Sequence, residues 1–429
     1  MPRNINFMKE ENLLKIAIDK LKPKFLAVVL CLLCCLGSMY YWLRGYTQFA
    51  LMMIFGVLVI YPILKKKFIL VNRIQFINCI LMGVFIVRNN PKLQSTASSE
   101  VFMILFMLIF IVLVKYQQRE WIDYTISLCK LFYLFYAVYT ILEKFFEPLF
   151  LFSLRLFPSS IETLYTQYSR GCMPGLTNHY STNGMLLGVG FIVFSCEAIF
   201  KGSKKNIILS GVMIVALLLT GKRADIIFTA VGIYLAYYCY MSDKKRTRIK
   251  NTVLIILAVL VGLVILVNLV PSLATFITRF EETTDSGDVT LGRTKMWAIA
   301  IDCFKNNTLL GIGWDRFKFI NLHEWKAHNI YLQLLAETGI VGFIVFAFFF
   351  VYTFVCGWRH LKRIRIDKMA IDREEVHLLF SLAMQVFFLL YGITGNPLYD
   401  KETYVPYYIA CAITSYYTHS RKNIYKKGE

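Results

Sequence analysis

The chain has 429 residues, of which 57% are hydrophobic and only 17% are charged, and its formal net charge is +20. A soluble domain carries more charge and fewer long apolar runs, so this composition excludes an ordinary soluble protein and predicts a polytopic membrane protein. The basic excess does not indicate nucleic-acid binding, because it lies between apolar runs, where positive charge sets membrane orientation.

Apolar runs recur along the whole chain. Residues 1–24 interleave apolar and basic side chains, which favours an amphipathic helix on the cytoplasmic membrane surface. A helix needs about 20 apolar residues to cross the hydrocarbon. The runs therefore predict an all-α fold with about 12 transmembrane helices, at 25–43, 46–64, 68–87, 101–114, 124–142, 180–200, 207–221, 224–241, 252–271, 328–356, 376–395 and 404–418.

Most of the lysines and arginines fall in alternate connecting segments. Positive residues favour the cytoplasmic side, so both termini are expected to be cytoplasmic. The chain 1–429 then forms a single transmembrane domain. Its extracytoplasmic loops are 143–179 and 272–327, and the second, between predicted helices 9 and 10, is large. In that loop we expect a helix from Arg293 to about Asn307, followed by the glycine-containing turn "GIGWDRF". The stretch 337–339 is a polar interruption inside the apolar sequence of the next membrane helix.

Arg223 lies in "LLLTGKRADIIF", between two apolar runs that are together too short for two full crossings and a turn. The turn at Lys222 and Arg223 is therefore expected below the outer membrane surface. A charge at the bilayer centre costs about 2.5–3.5 kcal/mol on insertion scales, which favours a wet cavity or an anionic partner. The planar guanidinium fork suits a phosphate. The alternative is that the side chain snorkels to the headgroups.

His328 stands at the start of a predicted membrane helix, where a neutral imidazole can accept a proton from a hydroxyl group. Asn329 can orient this ring or bind sugar hydroxyls. A hydrogen-bonded boundary histidine is the alternative. The outer segments also carry basic residues that topology does not require, which favours an acidic or phosphorylated ligand over a solvated loop of mixed charge. They are Arg170, Arg279, Arg293, Lys295, Arg316, Lys318 and Lys326.

Metal chemistry is not expected. The outer segments contain no Asp-x-Asp pair of the kind that holds a divalent cation, and "DSGD" at 285–288 has the wrong spacing. No phosphate-binding glycine-rich loop is present either. The 11 cysteines show no zinc spacing and are expected to be small packing residues, with one outer disulfide between Cys172 and Cys303 conceivable.

Four stretches in order, "GLTNHYSTNG", "LLLTGKRADII", "GRTKMWAIAIDCFKNNTLLGIGWDRF" and "HNIYLQLLAETGIVGF", resemble the O-antigen polymerase and ligase superfamily. The resemblance covers about residues 165–350. The later stretch "GITGNPLYDKETYVPYYIA" is similar to polymerases from capsule and exopolysaccharide clusters of low-GC bacteria.

The resemblance implies a GT-C-like, metal-independent glycosyltransferase of the cell (inner) membrane, without a cofactor and with an extracytoplasmic active site. Its donors and acceptors would be undecaprenyl-diphosphate-linked oligosaccharides. Family positions carry over to Arg223 in "TGKRAD", Arg293 in "GRTKMW" and His328 in "HNIYL", as catalytic residues. Lys222 departs from the small residue usual before the membrane arginine. The predicted substrate-binding residues are Arg170, Asn178, Lys222, Asn329 and Asp400.

Three functions stay open at this point. The first is a polymerase of lipid-linked repeat units of a capsule, O-antigen or exopolysaccharide, with a flippase and a chain-length regulator as partners. The second is a ligase that transfers finished glycan to lipid A core or another acceptor. The third, of another class, is a transporter or flippase of a lipid-linked solute, which internal repeats and broken helices would favour. If the protein is a polymerase or a ligase, we expect the charged stretch that begins at Arg293 to cover a site for a diphosphate leaving group.

Overall fold

The computed structural model describes residues 23–36, 46–64, 73–88, 99–113, 119–241, 244, 246–247, 249–251, 293–321, 325–367 and 373–425. Within these ranges the regular structure is helical. The helices are α1 (Pro23–Cys35), α2 (Tyr46–Leu64), α3 (Arg73–Val87), α4 (Ser99–Leu113), α5 (Glu120–Phe145), α6 (Glu147–Leu156), α7 (Ile161–Ser169), α8 (Tyr180–Lys201), α9 (Lys204–Leu219), α10 (Arg223–Tyr240), α11 (Arg293–Asn306), α12 (Ile330–Ile366), α13 (Glu374–Tyr391) and α14 (Lys401–Tyr425).

Five of these helices, α2, α5, α8, α12 and α13, are long and apolar enough to cross a membrane, and α1, α3 and α4 are shorter apolar helices. This confirms the predicted class, an all-helical polytopic membrane protein. The predicted amphipathic segment 1–24 lies almost wholly outside the described residues, as do the span 252–271 and the loop segment 272–292. The count of about 12 spans therefore stays a prediction.

Apolar side chains cover both the inside and the outside of the bundle. On α2, Phe49, Met53 and Val57 are exposed, as expected of a helix that faces lipid. By contrast, α13 is buried along most of its length and lies at the centre. Gly232 of α10 lets that helix approach α13 closely, because a Cβ atom there would lie 2.6 Å from the carbonyl oxygen of Ala383.

Several helices extend past the apolar runs that predicted them. The run at 328–356 becomes α12, which continues to Ile366, and the run at 404–418 becomes α14, which continues to Tyr425. An apolar run ends where charged residues begin, whereas backbone hydrogen bonding continues through a charged turn beyond the hydrocarbon. The segment 143–179, which the sequence predicts to be the first outer loop, contains the short helices α6 and α7, which hydropathy alone did not predict.

An ionic network fastens α5 and α8 to the segment that leads into α13. The Arg373 guanidinium lies 3.1 Å from both Asp123 Oδ1 and Glu197 Oε1, and Lys130 Nζ lies 2.7 Å from Glu197 Oε2. His377 Nε2 lies 3.2 Å from Asp123 Oδ1. Because Glu197 is close to the last residue of α8, this network marks one end of the bundle.

Candidate active site

Helix ends converge at the opposite end of the bundle, where α8, α10 and α12 begin and α9 and α13 end. Backbone hydrogen bonds tie these ends together. Met173 N, in the loop before α8, donates to Leu219 O at the end of α9 (3.0 Å), and Ile330 N at the start of α12 donates to Gly392 O just after α13 (2.8 Å). Helix starts bring unpaired N–H groups and partial positive charge to this end.

The helix α11 is attached to the segment that precedes α12. The indole Nε1 of Trp297 donates to the carbonyl oxygen of Ala327 at 3.0 Å. The backbone N–H of Ala327 in turn donates to Gln333 Oε1, one turn into α12, at 3.1 Å. Arg293, the first residue of α11, therefore lies one helical turn from a side chain that is fixed beside His328.

His328 and the three cations that act on it, Arg293, Lys222 and Lys326, form a cluster at this end of the bundle that we call the hollow. The His328 side chain is exposed and its backbone φ is 50°, in the left-handed region, so the chain turns sharply before α12. Enough protein nevertheless surrounds the ring to desolvate it. That desolvation, together with the positive charges of Arg293, Lys222 and Lys326, lowers the pKa of His328 to about 4. The imidazole is therefore neutral at physiological pH and can accept a proton.

Two lysines share this hollow with a carboxyl group. Lys222 Nζ lies 5.8 Å from the ring centre of Tyr391, and Lys326 Nζ lies 4.6 Å from that of Tyr399. Burial raises the pKa of Asp400, while the charges of Lys326 and Lys222 oppose that rise. Lys326 and Lys222 therefore act electrostatically on both His328 and Asp400, so these four side chains lie together.

Asp225 is a buried carboxyl group beneath Lys222. Its exposed fraction is 0%, and neither carboxylate oxygen has a hydrogen-bond partner among the residues that the structure describes. Gly184 of α8 makes room for it, since a Cβ atom there would lie 2.7 Å from Asp225 Oδ2 and 3.0 Å from Lys222 Cβ. Asp225 stands only two residues after Arg223, but no sequence motif points to it.

The glycine-containing turn after α11 is built into a break in α12. Gly339 interrupts that helix with φ 64° and ψ −172°. Ile312 N and Gly313 N donate to the carbonyl oxygens just before the break, at 3.0 and 2.8 Å, and Ile340 N donates to Thr308 O at 2.8 Å. The polar interruption is thus also a break in the helical backbone, which the sequence did not predict, and the turn satisfies the polar groups that the break exposes.

Glu337 anchors the same turn through its side chain. Its carboxylate accepts hydrogen bonds from the backbone N–H groups of Asp315 (2.9 Å) and Phe317 (3.1 Å) and from Gln333 Nε2 (3.1 Å). The hydroxyl group of Tyr399 also donates to it. Four donors on one buried carboxylate hold the turn, the start of α12 and the segment before α14 in one arrangement. In the sequence, Glu337 stands out only as part of the polar interruption 337–339.

The remaining predicted site residues lie at helix ends or in the segments between helices. Arg223 is the first residue of α10 and is half-buried. Asn329 Oδ1 accepts from Tyr331 N and Leu332 N, so Asn329 caps α12, and only its amide nitrogen is left for a substrate. Asn178 is half-buried just before α8, and Arg170 is exposed at the end of α7.

These features define the class of protein: a polytopic membrane protein in which helix ends bring together a cluster of cations that suits an anionic ligand. Residues 208–347 match the family model described as O-antigen ligase. The matched stretch is less than half of the chain; it supports the O-antigen polymerase and ligase superfamily and confirms the resemblance drawn from the motifs. Members of this family are glycosyltransferase-like enzymes. No curated protein matches the chain.

Proposed function

We propose that this protein polymerises undecaprenyl-diphosphate-linked oligosaccharide repeat units at the outer face of the cell membrane. The observation that carries the proposal is the grouping of His328 with Arg293, Lys222 and Lys326, whose charges act on its imidazole. Three cations beside one neutral base match a reaction in which a diphosphate leaves and a hydroxyl group attacks.

In the proposed mechanism the donor is a glycan on a polyprenyl diphosphate. The bond between its anomeric carbon and the diphosphate oxygen breaks, and the acceptor hydroxyl forms the new glycosidic bond on the opposite face of the sugar, with inversion. Arg293 and Lys222 stabilise the charge that develops on the diphosphate, and Arg223 binds it from the start of α10. His328 takes the hydroxyl proton.

The remaining residues of the hollow suit the sugars. Asp400 presents carboxylate oxygens, which accept hydrogen bonds from hydroxyl groups. The neighbouring Tyr391 and Tyr399 are almost fully buried and give this side of the hollow an aromatic wall. Asn178 and the amide nitrogen of Asn329 are further donors, and Arg170 at the rim is available to an anionic repeat unit. These roles are proposals that rest on placement and chemical type.

The proposal includes an orientation of the protein in the membrane. The single domain has cytoplasmic termini, the Arg373 network faces the cytoplasm, and His328 faces outward. Lys326→Cys tests this. A membrane-impermeant maleimide added to intact cells should label that variant, while the native cysteines, nearly all buried, give a low background. Labelling only after the cells are lysed would place the hollow on the cytoplasmic side.

The polymerase is tested with the purified protein in liposomes and a synthetic undecaprenyl-diphosphate repeat unit as the only substrate. A ladder of products is expected from the wild type. His328→Ala, Arg293→Ala and Arg223→Ala should each reduce the rate by about a hundredfold or more. Lys305→Met, an exposed change at the far end of α11, is the matched control. Well-folded His328→Ala protein that still makes the full ladder refutes the mechanism.

A ligase is the second candidate, because the family model that matches carries that description. It uses the same bond chemistry, so the residues of the hollow do not distinguish the two. The liposome assay does. A ligase gives no ladder from the repeat unit alone and transfers glycan only when a different acceptor, such as lipid A core, is added.

A further inference from the structure

Four cysteines form a cluster where α1 meets α5. Cys31, Cys34 and Cys35 lie on one face of α1, at the i, i+3 and i+4 positions, and this face meets Cys129 of α5. The sulfur atoms of Cys31, Cys35 and Cys129 all lie within 4.8 Å of one another. The Cys129 thiol also lies within hydrogen-bonding reach of the Cys34 thiol.

The cluster is dry and enclosed. The four cysteines are between 0% and 4% exposed. The Tyr136 hydroxyl group donates to Cys35 O at 2.8 Å, which fixes the end of α1 against α5. Three thiols this close together can all bind a single ion. Because thiolates prefer soft metals, that ion should be a soft one. The ion must also suit an apolar membrane interior, where a net charge is expensive.

Charge balance selects the ion. Three thiolates around a monovalent or divalent ion leave a net negative charge in the bundle, whereas three thiolates around a trivalent ion leave none. We propose that Cys31, Cys35 and Cys129 form a binding site for a trivalent thiophilic ion, of which arsenic(III) is the representative. In water this ion is the uncharged arsenous acid, which can enter an apolar site without a counter-ion.

The binding step balances without an oxidant. Three As–O bonds of arsenous acid break and three As–S bonds form, while the three thiol protons leave with the three hydroxyl groups as water. No electron changes hands. The product is a neutral tris-thiolate that links α1 to α5 covalently. None of the three cysteines is among the residues proposed for glycosyl transfer, so this proposal does not depend on that reaction.

The test uses the full-length reduced protein in detergent with sodium arsenite, followed by desalting and measurement of bound arsenic by mass spectrometry. The expected wild-type result is one arsenic per chain. Peptide mapping should show Cys31, Cys35 and Cys129 protected together from slow alkylation by N-ethylmaleimide. Zn²⁺ should be retained less than arsenic, because it leaves a charged site.

Cys129→Ser removes the only ligand from α5 and leaves thiols of α1 alone, so arsenic retention should fall about tenfold or more because the attachment to the second helix is lost. Cys196→Ser is the matched control, a fully buried cysteine of α8 outside the cluster, and should retain arsenic like the wild type. Wild-type protein that loses its arsenic on desalting overturns the proposal. So does equal retention by Cys129→Ser, or tighter retention of Zn²⁺ than of arsenic.

Discussion

The pH dependence of glycosyl transfer tests whether His328 is the neutral base. Only the neutral ring accepts a proton, so kcat/KM must fall as pH drops through the pKa of His328 in the free enzyme. With that pKa lowered to about 4, about nine tenths of the rings are neutral at pH 5, whereas an ordinary histidine would be about 3% neutral there. The activity retained at pH 5 thus differs about thirtyfold between the two cases.

The assay follows the initial rate of polymer formation in liposomes across roughly pH 4 to pH 8. Lys326→Met removes one of the charges that lower the pKa, so that pKa should rise by about half a unit to one unit. The variant should therefore lose activity at pH 5 relative to pH 7.5. Lys305→Met should not, because Lys305 is exposed and pairs with Asp302 at 3.8 Å, at the far end of α11. A wild-type midpoint near the ordinary histidine value refutes this reasoning, as does identical behaviour of the two variants.

Three further predictions concern how the hollow is held. Glu337→Ala leaves buried N–H groups without an acceptor and should lower the stability by about 3 kcal/mol, seen as a lower thermal unfolding midpoint in detergent; a midpoint equal to that of the wild type contradicts it. Gly339→Ala forces a side chain into a glycine-only conformation and should cost about 1–3 kcal/mol, whereas Gly211→Ala, in open space on α9, should not destabilise the protein. Trp297→Phe keeps an aromatic side chain but loses the indole N–H that donates to Ala327 O, so kcat should fall. The free energy of unfolding should drop by only about 1 kcal/mol, seen as a slightly lower unfolding midpoint. An unchanged kcat would show that this contact does not position Arg293.

Local patterns in the sequence predicted much of this architecture. The start of α11 at Arg293 and the turn at Lys222 both follow from residue types within a few positions of each other. Apolar runs likewise located the long helices, since hydropathy reports burial in lipid or protein alike. Where prediction and structure differ, at the ends of α12 and α14, the cause is helical hydrogen bonding that continues into charged sequence.

The features that the sequence did not reveal depend on contacts between distant segments. Asp225 is buried only because Gly184 of another helix leaves space for it. In the sequence, Lys326 is one of many basic residues in the predicted outer segments. In the structure its charge acts on both His328 and Asp400. Asn329 shows the reverse case. Its position next to His328 suggested a sugar contact, but its amide oxygen is occupied as a helix cap.

The break in α12 at Gly339 also affects how freely the predicted outer loop 272–327 is expected to move. A loop that only roofs a site moves easily, but the described part of this one is fixed to the membrane helix beneath it. Gly311 of the turn and Gly339 of α12 let their two backbone segments lie very close together. A Cβ atom on either glycine would lie 2.4 Å from a backbone atom of the other segment. Arg88 at the end of α3 donates to the carbonyl oxygens of Leu310 and Gly311 as well.

This rigidity suits the proposed chemistry. Cations that stabilise a leaving diphosphate are most effective when they are held in place before the charge develops, because no reorganisation is then needed. The chain from α11 through the turn to α12 links Arg293, Lys326 and His328 through Trp297, Ala327 and the Glu337 cluster rather than through a mobile lid. We therefore expect the lipid-linked substrate to move between successive rounds of glycosyl transfer, while the segment from α11 to α12 stays in place.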